Sequence, residues 1–198
     1  MSHVKRCFDI STALALCLVL APIIFIVSII VLMKDGRPLF YVSERMKTQS
    51  AGFKLYKFRT MKNSDQNTGV SGGDKSSRIT KCGHFLRRTR LDELPQLVNV
   101  LKGDISFVGP RPPLRQYVEE FPEIYRNVLK SRPGITGLAS LKYHSHEERI
   151  LARTSSAQET DAVYKNVCIP RKAKLDLIYQ RNRNICFDIC IMIKTVLK

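Results

Sequence analysis

Hydrophobic and polar positions divide the chain into a leading apolar run and a longer amphipathic remainder. Ile10 to Met33 form 24 consecutive positions without a charge. As one helix they would reach about 36 Å, more than the roughly 30 Å of a hydrocarbon core. The run is too long for the apolar part of a signal peptide and no A-x-A site follows it, so it reads as a retained membrane segment. Pro22, near its midpoint, removes one backbone hydrogen bond and obstructs another. Lys5 and Arg6 precede the run while Lys34 and Arg37 follow it, which pulls both ends to the cytoplasm. Two arrangements fit: a kinked spanning helix, and a re-entrant hairpin broken at Pro22. The second makes residues 1–36 a membrane unit and 37–198 a body at the cytoplasmic interface.

In that body, 38–42 and 53–58 read as short extended pieces punctuated by Gly52. Residues 63–77, NSDQNTGVSGGDKSS, read as a mobile loop, either a plain linker or a substrate lid. Helices are expected over 80–90 and 92–101, the second stopped by Gly103. SFVGPRPP at 106–113 and RPGITG at 132–137 read as rigid turns, with a helix over 118–130 between them despite Pro122. The end, 172–198, reads as one long helix. Its face of Cys186, Ile189, Cys190, Ile193 and Leu197, with Arg181, Arg183, Lys194 and Lys198 at the margins, suits a membrane interface. Core packing fits the same pattern. The fold class is therefore mostly α with short β segments.

Composition sharpens the picture in two ways. Of 198 residues, 33 are Lys or Arg against 17 Asp or Glu, a formal charge of +16. That excess calls for an anionic partner: nucleic acid, an anionic membrane, or a phosphorylated substrate. The absence of Trp weakens a base-stacking platform. Six cysteines without a CxxC pair exclude a zinc knuckle and a disulfide scaffold, and point to a reduced protein facing the cytosol.

The candidate chemistry lies between Asp74 and Pro113. Asp92 and Glu93 are adjacent carboxylates set among Arg87, Arg88 and Arg90. One reading is structural: Thr89-x-x-Asp92 fits a capping box, and Arg88 with Asp92 an i,i+4 ion pair. The other follows from Pro95, which belongs in the first turn of a helix and so puts Asp92 at or beside its N-terminus. There an ionised carboxylate and an incoming phosphate are both favoured, which suits a nucleophile aided by a divalent metal and arginines. Lys57, Arg59, Arg87, Arg88, Arg111 and Arg132 lie in or beside turns, and Arg111 is fixed by Pro110 and Pro112. Rigidly presented guanidinium groups recognise phosphate bidentately. His144, His146, Glu147 and Glu148 are expected to be solvated, and His84 structural.

KFRTM (57–61), LDELPQLVNVLKGD (91–104), SFVGPRP (106–112) and RPGITG (132–137) follow, in that order, an apolar segment interrupted by Pro22. In this the chain resembles the monotopic phosphoglycosyl transferases, a bacterial sugar transferase family, and by its length their small members without appended domains. The resemblance implies a monotopic membrane protein with an N-terminal re-entrant helix and interfacial amphipathic helices. It implies transfer of a phosphosugar from a UDP-sugar to undecaprenyl phosphate, with release of UMP, on the cytoplasmic face of a bacterial inner membrane. Asp92 would be the nucleophile forming a covalent phosphosugar intermediate, Glu93 would complete the dyad, and Mg2+ would assist with Asp92 as its ligand. Arg111 would bind phosphate, with Lys57, Arg59, Arg88 and Arg132 as further substrate-binding candidates. The chain departs from the family at Ala21, at Pro113, and across LASLKYHSHEERI (138–150), which lacks the common Gln-Val-Asn-Gly-Arg run.

A second function class is a non-enzymatic, membrane-anchored module whose basic surface binds anionic lipid or nucleic acid. It accounts for the charge and the apolar segment. It leaves the Asp92–Glu93 pair among basic turns unexplained, so a transferase without a nucleic-acid partner is the expectation taken forward. The sugar itself is not encoded legibly; its selection is expected in 63–77 and 138–160.

Overall fold

The computed structural model describes residues 3–62 and 77–197. All of the expected 63–77 loop except Ser77 lies outside them.

The apolar run forms a single helix, α1 (His3–Asp35), which continues through Pro22. No turn interrupts it at Pro22, so the segment is one helix rather than two helices joined by a hairpin turn. Proline's fixed φ is itself helical, and the apolar residues on both sides carry the helix past the one lost bond. α1 meets the rest of the protein near both of its ends. At the start, Arg6 donates to the carbonyls of Val100 (2.6 Å) and Leu101 (2.8 Å), and the Ser106 hydroxyl donates to buried Asp9 (2.8 Å). At the far end, Val27 and Val31 are buried against Phe58 and Leu86, and the Thr80 hydroxyl donates to Asp35 (2.9 Å). Between Ala13 and Val27 no residue of α1 is buried, and Leu18, Val19 and Phe25 are 66–80% exposed.

The two extended pieces pair as an antiparallel hairpin, β1 (Phe40–Met46) and β2 (Gly52–Phe58), in register from Phe40 opposite Phe58 to Met46 opposite Gly52. α2 (Lys81–Thr89) is capped by Thr80, whose hydroxyl accepts from the Gly83 amide (2.8 Å). α3 (Gln96–Lys102) ends at Gly103, whose φ of +79° is the left-handed cap that glycine adopts at least cost.

Two expected turns are strands instead. β3 (Ser106–Val108) and β4 (Gly134–Thr136) form a parallel pair. The glycines that suggested turns serve close backbone approach: a Cβ on Gly134 would lie 2.2 Å from the Gly109 amide nitrogen. The helix expected over 118–130 is split at Phe121 into α4 (Arg115–Glu120) and α5 (Pro122–Val128), because Pro122 cannot donate into the preceding turn. α6 (Leu138–Leu151) and α7 (Ala157–Val163) follow, then a π-helical stretch, Tyr164–Cys168, into α8 (Ile169–Asn182).

The long C-terminal helix is also two, since Asn184 caps a new one, α9 (Ile185–Val196), by accepting from the Phe187 amide (2.8 Å). In α9, Ile191 and Asp188 face inward while Ile189, Ile193 and Leu197 are exposed. The core-packing alternative for that apolar face is thus corrected. Asp188 receives bonds from Lys5 (2.6 Å) and the Tyr179 hydroxyl (2.7 Å), which ties α9 to the start of α1.

One core lies among Phe53, Leu55, Leu97, Val100, Ile105, Val108 and Tyr179; a second among Tyr117, Tyr125, Val128, Tyr143, Tyr164 and Ile169. All six cysteines are free.

Candidate active site

A cavity of about 650 Å3 opens between the hairpin, the α2–α3 junction and helices α5, α6 and α8. At that junction Arg90 takes a left-handed conformation (φ +60°), an unfavourable one for a residue with a β-carbon. It reverses the chain out of α2 into a 3-10 turn, Leu91–Glu93, that carries both carboxylates. Asp92 is therefore in a turn ahead of α3 rather than in the helix's first turn, because Pro95 stands at the N-cap. The proposed capping box is not made: the Thr89 hydroxyl donates to the carbonyls of Phe85 (2.9 Å) and Leu86 (3.2 Å).

Buried Asn99 fixes the turn against the hairpin. Its amide donates to the Lys54 carbonyl (2.7 Å) and Asp104 (3.0 Å), and its oxygen accepts from the Tyr56 amide (3.1 Å). Lys57 is thereby brought to Glu93, 2.5 Å away. Arg111 reaches the same Glu93 oxygen at 3.3 Å and keeps 39% of its side-chain surface open. Its backbone is held as its flanking prolines suggested. Pro110 accepts from the Gly134 amide (2.8 Å), Pro112 from Arg45 (3.3 Å), and Pro113 from the Met46 amide (3.0 Å).

The two adjacent carboxylates are treated oppositely. Burial pushes Glu93 upward, but the charges of Lys57 and Arg111 outweigh it and hold the carboxyl far below the usual range. Asp92 is 7% exposed, and its Oδ1 has no hydrogen-bond partner. Burial raises its pKa, with the Glu93 charge adding to the rise against the pull of Lys57, Arg87 and Arg90. Glu93 is a clamped anion and Asp92 an unclaimed one. Around them Arg45, Arg87, Arg90 and Arg111 line the same cavity. Burial and the nearby Arg111 both lower Arg45, as cations crowded together do.

Three sequence candidates fall elsewhere. Arg59 borders the cavity, but its guanidinium donates to the carbonyls of Asp35 and Gly36 (2.7 Å to the latter), so it fastens the end of α1. Arg88 lies on the outer side of α2 with His84 and Phe85, because a helix cannot present both it and Arg87 to one face. His84, expected to be structural, is exposed. Arg132 sits away from the cavity, within the charge field of Arg6, Asp9 and Asp104. Arg87 and Arg90, named in the basic cluster, do line the cavity; His144, Glu147 and Glu148, expected to be solvated, line it as well, and Arg45, Lys172 and Asp176 were missed. Positions 144, 147, 148 and 151 share one helical face, a periodicity that could have shown α6 turned toward the site. His144 pairs with Glu148 (3.2 Å), whereas His146 lies beside Arg171 (3.1 Å).

Among the described residues no group of three His, Cys, Asp or Glu side chains could hold a metal. A hard cation could still use the free Asp92 oxygen, completing its shell with phosphate oxygens and water, as Mg2+ commonly does.

The chain's sequence matches the model of the bacterial sugar transferases over residues 1–198. It belongs to that family. This bacterial sugar transferase is 31% identical, over 98% of its length, to a UDP-N-acetylgalactosamine-undecaprenyl-phosphate N-acetylgalactosaminephosphotransferase of Aeromonas hydrophila. It is 33% identical, again over 98% of the chain, to the UDP-glucose:undecaprenyl-phosphate glucose-1-phosphate transferase of Escherichia coli K12. The alignments cover 43% and 39% of those two longer proteins. With an uncharacterized sugar transferase of Bacillus subtilis, EpsL, identity is 35% over 98% of the chain and 86% of the relative.

Proposed function

We propose that this bacterial sugar transferase moves a phosphosugar from a UDP-sugar to undecaprenyl phosphate in two displacements through Asp92. The observation that carries the reading is the pairing of a clamped Glu93 with a buried, unclaimed Asp92 oxygen in a cavity ringed by cations. In the first displacement an Asp92 oxygen attacks the phosphorus bearing the sugar. A P–O bond forms to Asp92 while the bond to the bridging oxygen breaks, and UMP departs with that oxygen. In the second, an oxygen of undecaprenyl phosphate attacks the same phosphorus and expels the Asp92 carboxylate, giving the lipid diphosphate sugar.

Lys57, Arg87, Arg90 and Arg111 neutralise the diphosphate and, by the same charge, keep Asp92 ionised for attack. Glu93 keeps Lys57 and Arg111 in place without competing for phosphorus, since both cations hold it. Mg2+, bound through Asp92, would supply further neutralisation of phosphate charge.

The membrane placement is part of the proposal: a bend at Pro22 lets the single helix α1 dip into the cytoplasmic leaflet of a bacterial inner membrane with both of its ends on the cytoplasmic side. Both ends of α1 pack on the same body, whereas Leu18, Val19, Ile23, Phe25 and Ile26, around Pro22, expose large apolar side chains. A helix crossing the bilayer would put one docking site on each side. Exposed Ile189, Ile193 and Leu197 on α9, tied to α1 through Asp188 and Lys5, suit the interface.

The test is release of UMP from a panel of UDP-sugars by detergent-solubilised protein with undecaprenyl phosphate and magnesium. Acceptor-dependent release supports the reading. No release from any UDP-sugar by folded protein would remove it.

A further inference from the structure

The cavity has a second end that the two displacements do not use. Away from Asp92, α5, α6, the π-helical stretch and α8 enclose it with Tyr125, Tyr164, Glu147, Lys172 and Asp176. Lys172 binds Glu147 at 2.8 Å, with 12% and 14% of the two side chains exposed, and its ammonium lies 5.0 Å from the centre of the Tyr164 ring. Asp176 is 6% exposed and its Oδ1 meets no hydrogen-bond partner. A buried carboxylate oxygen without a donor is costly unless something else supplies one. Burial, with a contribution from Glu147, pushes the Asp176 carboxyl up to about 7, against the pull of Lys172.

We propose that Asp176 and Glu147 seat the transferred sugar, accepting hydrogen bonds from its ring hydroxyls while the phosphates lie among the arginines; the assignment rests on the phosphosugar-transfer reading. Two carboxylates repel a diphosphate and accept from a neutral polyhydroxylated ring. Hexose and ribose share that chemistry, and the enclosure favours the hexose. UMP must leave while the sugar stays on the enzyme, so the sugar takes the closed end, where Asp176, Tyr125, Tyr164 and Ile169 are all buried. Lys62, Arg78 and Ile79 line another part of the same cavity. Glu147 acts on both Arg111 and Asp176 by charge, so the proposed sugar seat adjoins the phosphate site.

The experiment compares kcat/KM for UDP-glucose, UDP-galactose, UDP-N-acetylglucosamine and UDP-N-acetylgalactosamine in wild type, Asp176→Asn and Glu147→Gln. UMP affinity of each protein is measured alongside and reports an intact phosphate site. The expected result is a change of roughly tenfold or more in the ratio between best and second-best sugar, from the exchange of a carboxyl group for an amide in the seat. UMP affinity should stay within about twofold, a difference too small to reflect a lost contact. A fall by one common factor for all four sugars in both variants would overturn the proposal, as would unchanged ratios. Loss of UMP affinity in proportion would assign this end to the nucleoside instead. If wild type itself releases UMP from no UDP-sugar, the transferase reading fails first; wild-type turnover with unaltered selectivity in both variants sinks the sugar seat alone.

Discussion

Removing the charge of Glu93 while keeping its shape tests whether the carboxylate pair is divided as described. In Glu93→Gln, Lys57 loses the anion 2.5 Å away at a site where 18% of the lysine side chain and 10% of the glutamate are exposed. Breaking a fully buried pair costs about 3–5 kcal/mol. The glutamine oxygen still accepts a hydrogen bond and the lysine keeps some solvent, which brings the expected loss down to about 2–3 kcal/mol. Lys57→Met should also destabilise, by stranding Glu93, though Arg111 at 3.3 Å still compensates part of that charge. The double variant has neither stranded charge. Denaturant unfolding in micelles across the four proteins should therefore give a coupling energy near 2 kcal/mol. A second readout is kinetic. Glu93 raises the Asp92 pKa and Lys57 lowers it, so Glu93→Gln should move the acid limb of the rate profile to lower pH. A coupling energy below about 0.5 kcal/mol, the range of solvent-screened surface pairs, would refute a desolvated clamp.

Three further outcomes follow. The Asp176 carboxyl is raised from 3.8 to about 7, so the native state holds that proton more tightly than the unfolded chain. The associated stability is complete below pH 4 and lost as pH rises through 7; Asp176→Asn should gain on wild type by on the order of 3–4 kcal/mol between pH 4 and 8. A pH-independent difference in urea unfolding would count against it. EDTA should abolish turnover and Mg2+ restore it, because the carboxylate and diphosphate bring together more negative charge than arginines at a wet site offset. Full activity in excess chelator would exclude the metal. A single cysteine at Ser2, in an otherwise cysteine-free variant, should resist an impermeant maleimide in intact cells and react in inverted vesicles. Labelling in intact cells would mean that α1 spans.

What was legible in the sequence was local. The second strand of the hairpin, α2 and the Gly103 stop of α3 followed from spacing and caps, and Arg111 between prolines was read correctly as a rigidly presented cation. Long-range pairing was not legible. RPGITG and SFVGPRPP look like turns until Gly134 and Gly109 are seen packed backbone to backbone across a parallel pair. Helix lengths were overestimated where one residue, Pro122 or Asn184, restarts the chain in a new direction. In the site, Asp92, Glu93, Lys57 and Arg111 come together as expected. Arg59 could not be sorted from them, because a guanidinium that caps a helix end has the same local sequence as one that binds phosphate. The acidic end of the cavity was missed for a related reason. Glu147 and Asp176 are 29 positions apart, and only the packing of α6 on α8 brings them into one wall.

The central claim is that Asp92 carries the phosphosugar. Incubating the protein with a turned-over UDP-sugar and magnesium, without lipid acceptor, and then weighing the intact chain and its peptides tests it most directly. An added sugar phosphate is expected on the peptide containing Asp92, discharged by undecaprenyl phosphate and absent from folded Asp92→Asn. An adduct on another residue, or acceptor-dependent UMP release by Asp92→Asn at a rate comparable to wild type, would contradict it.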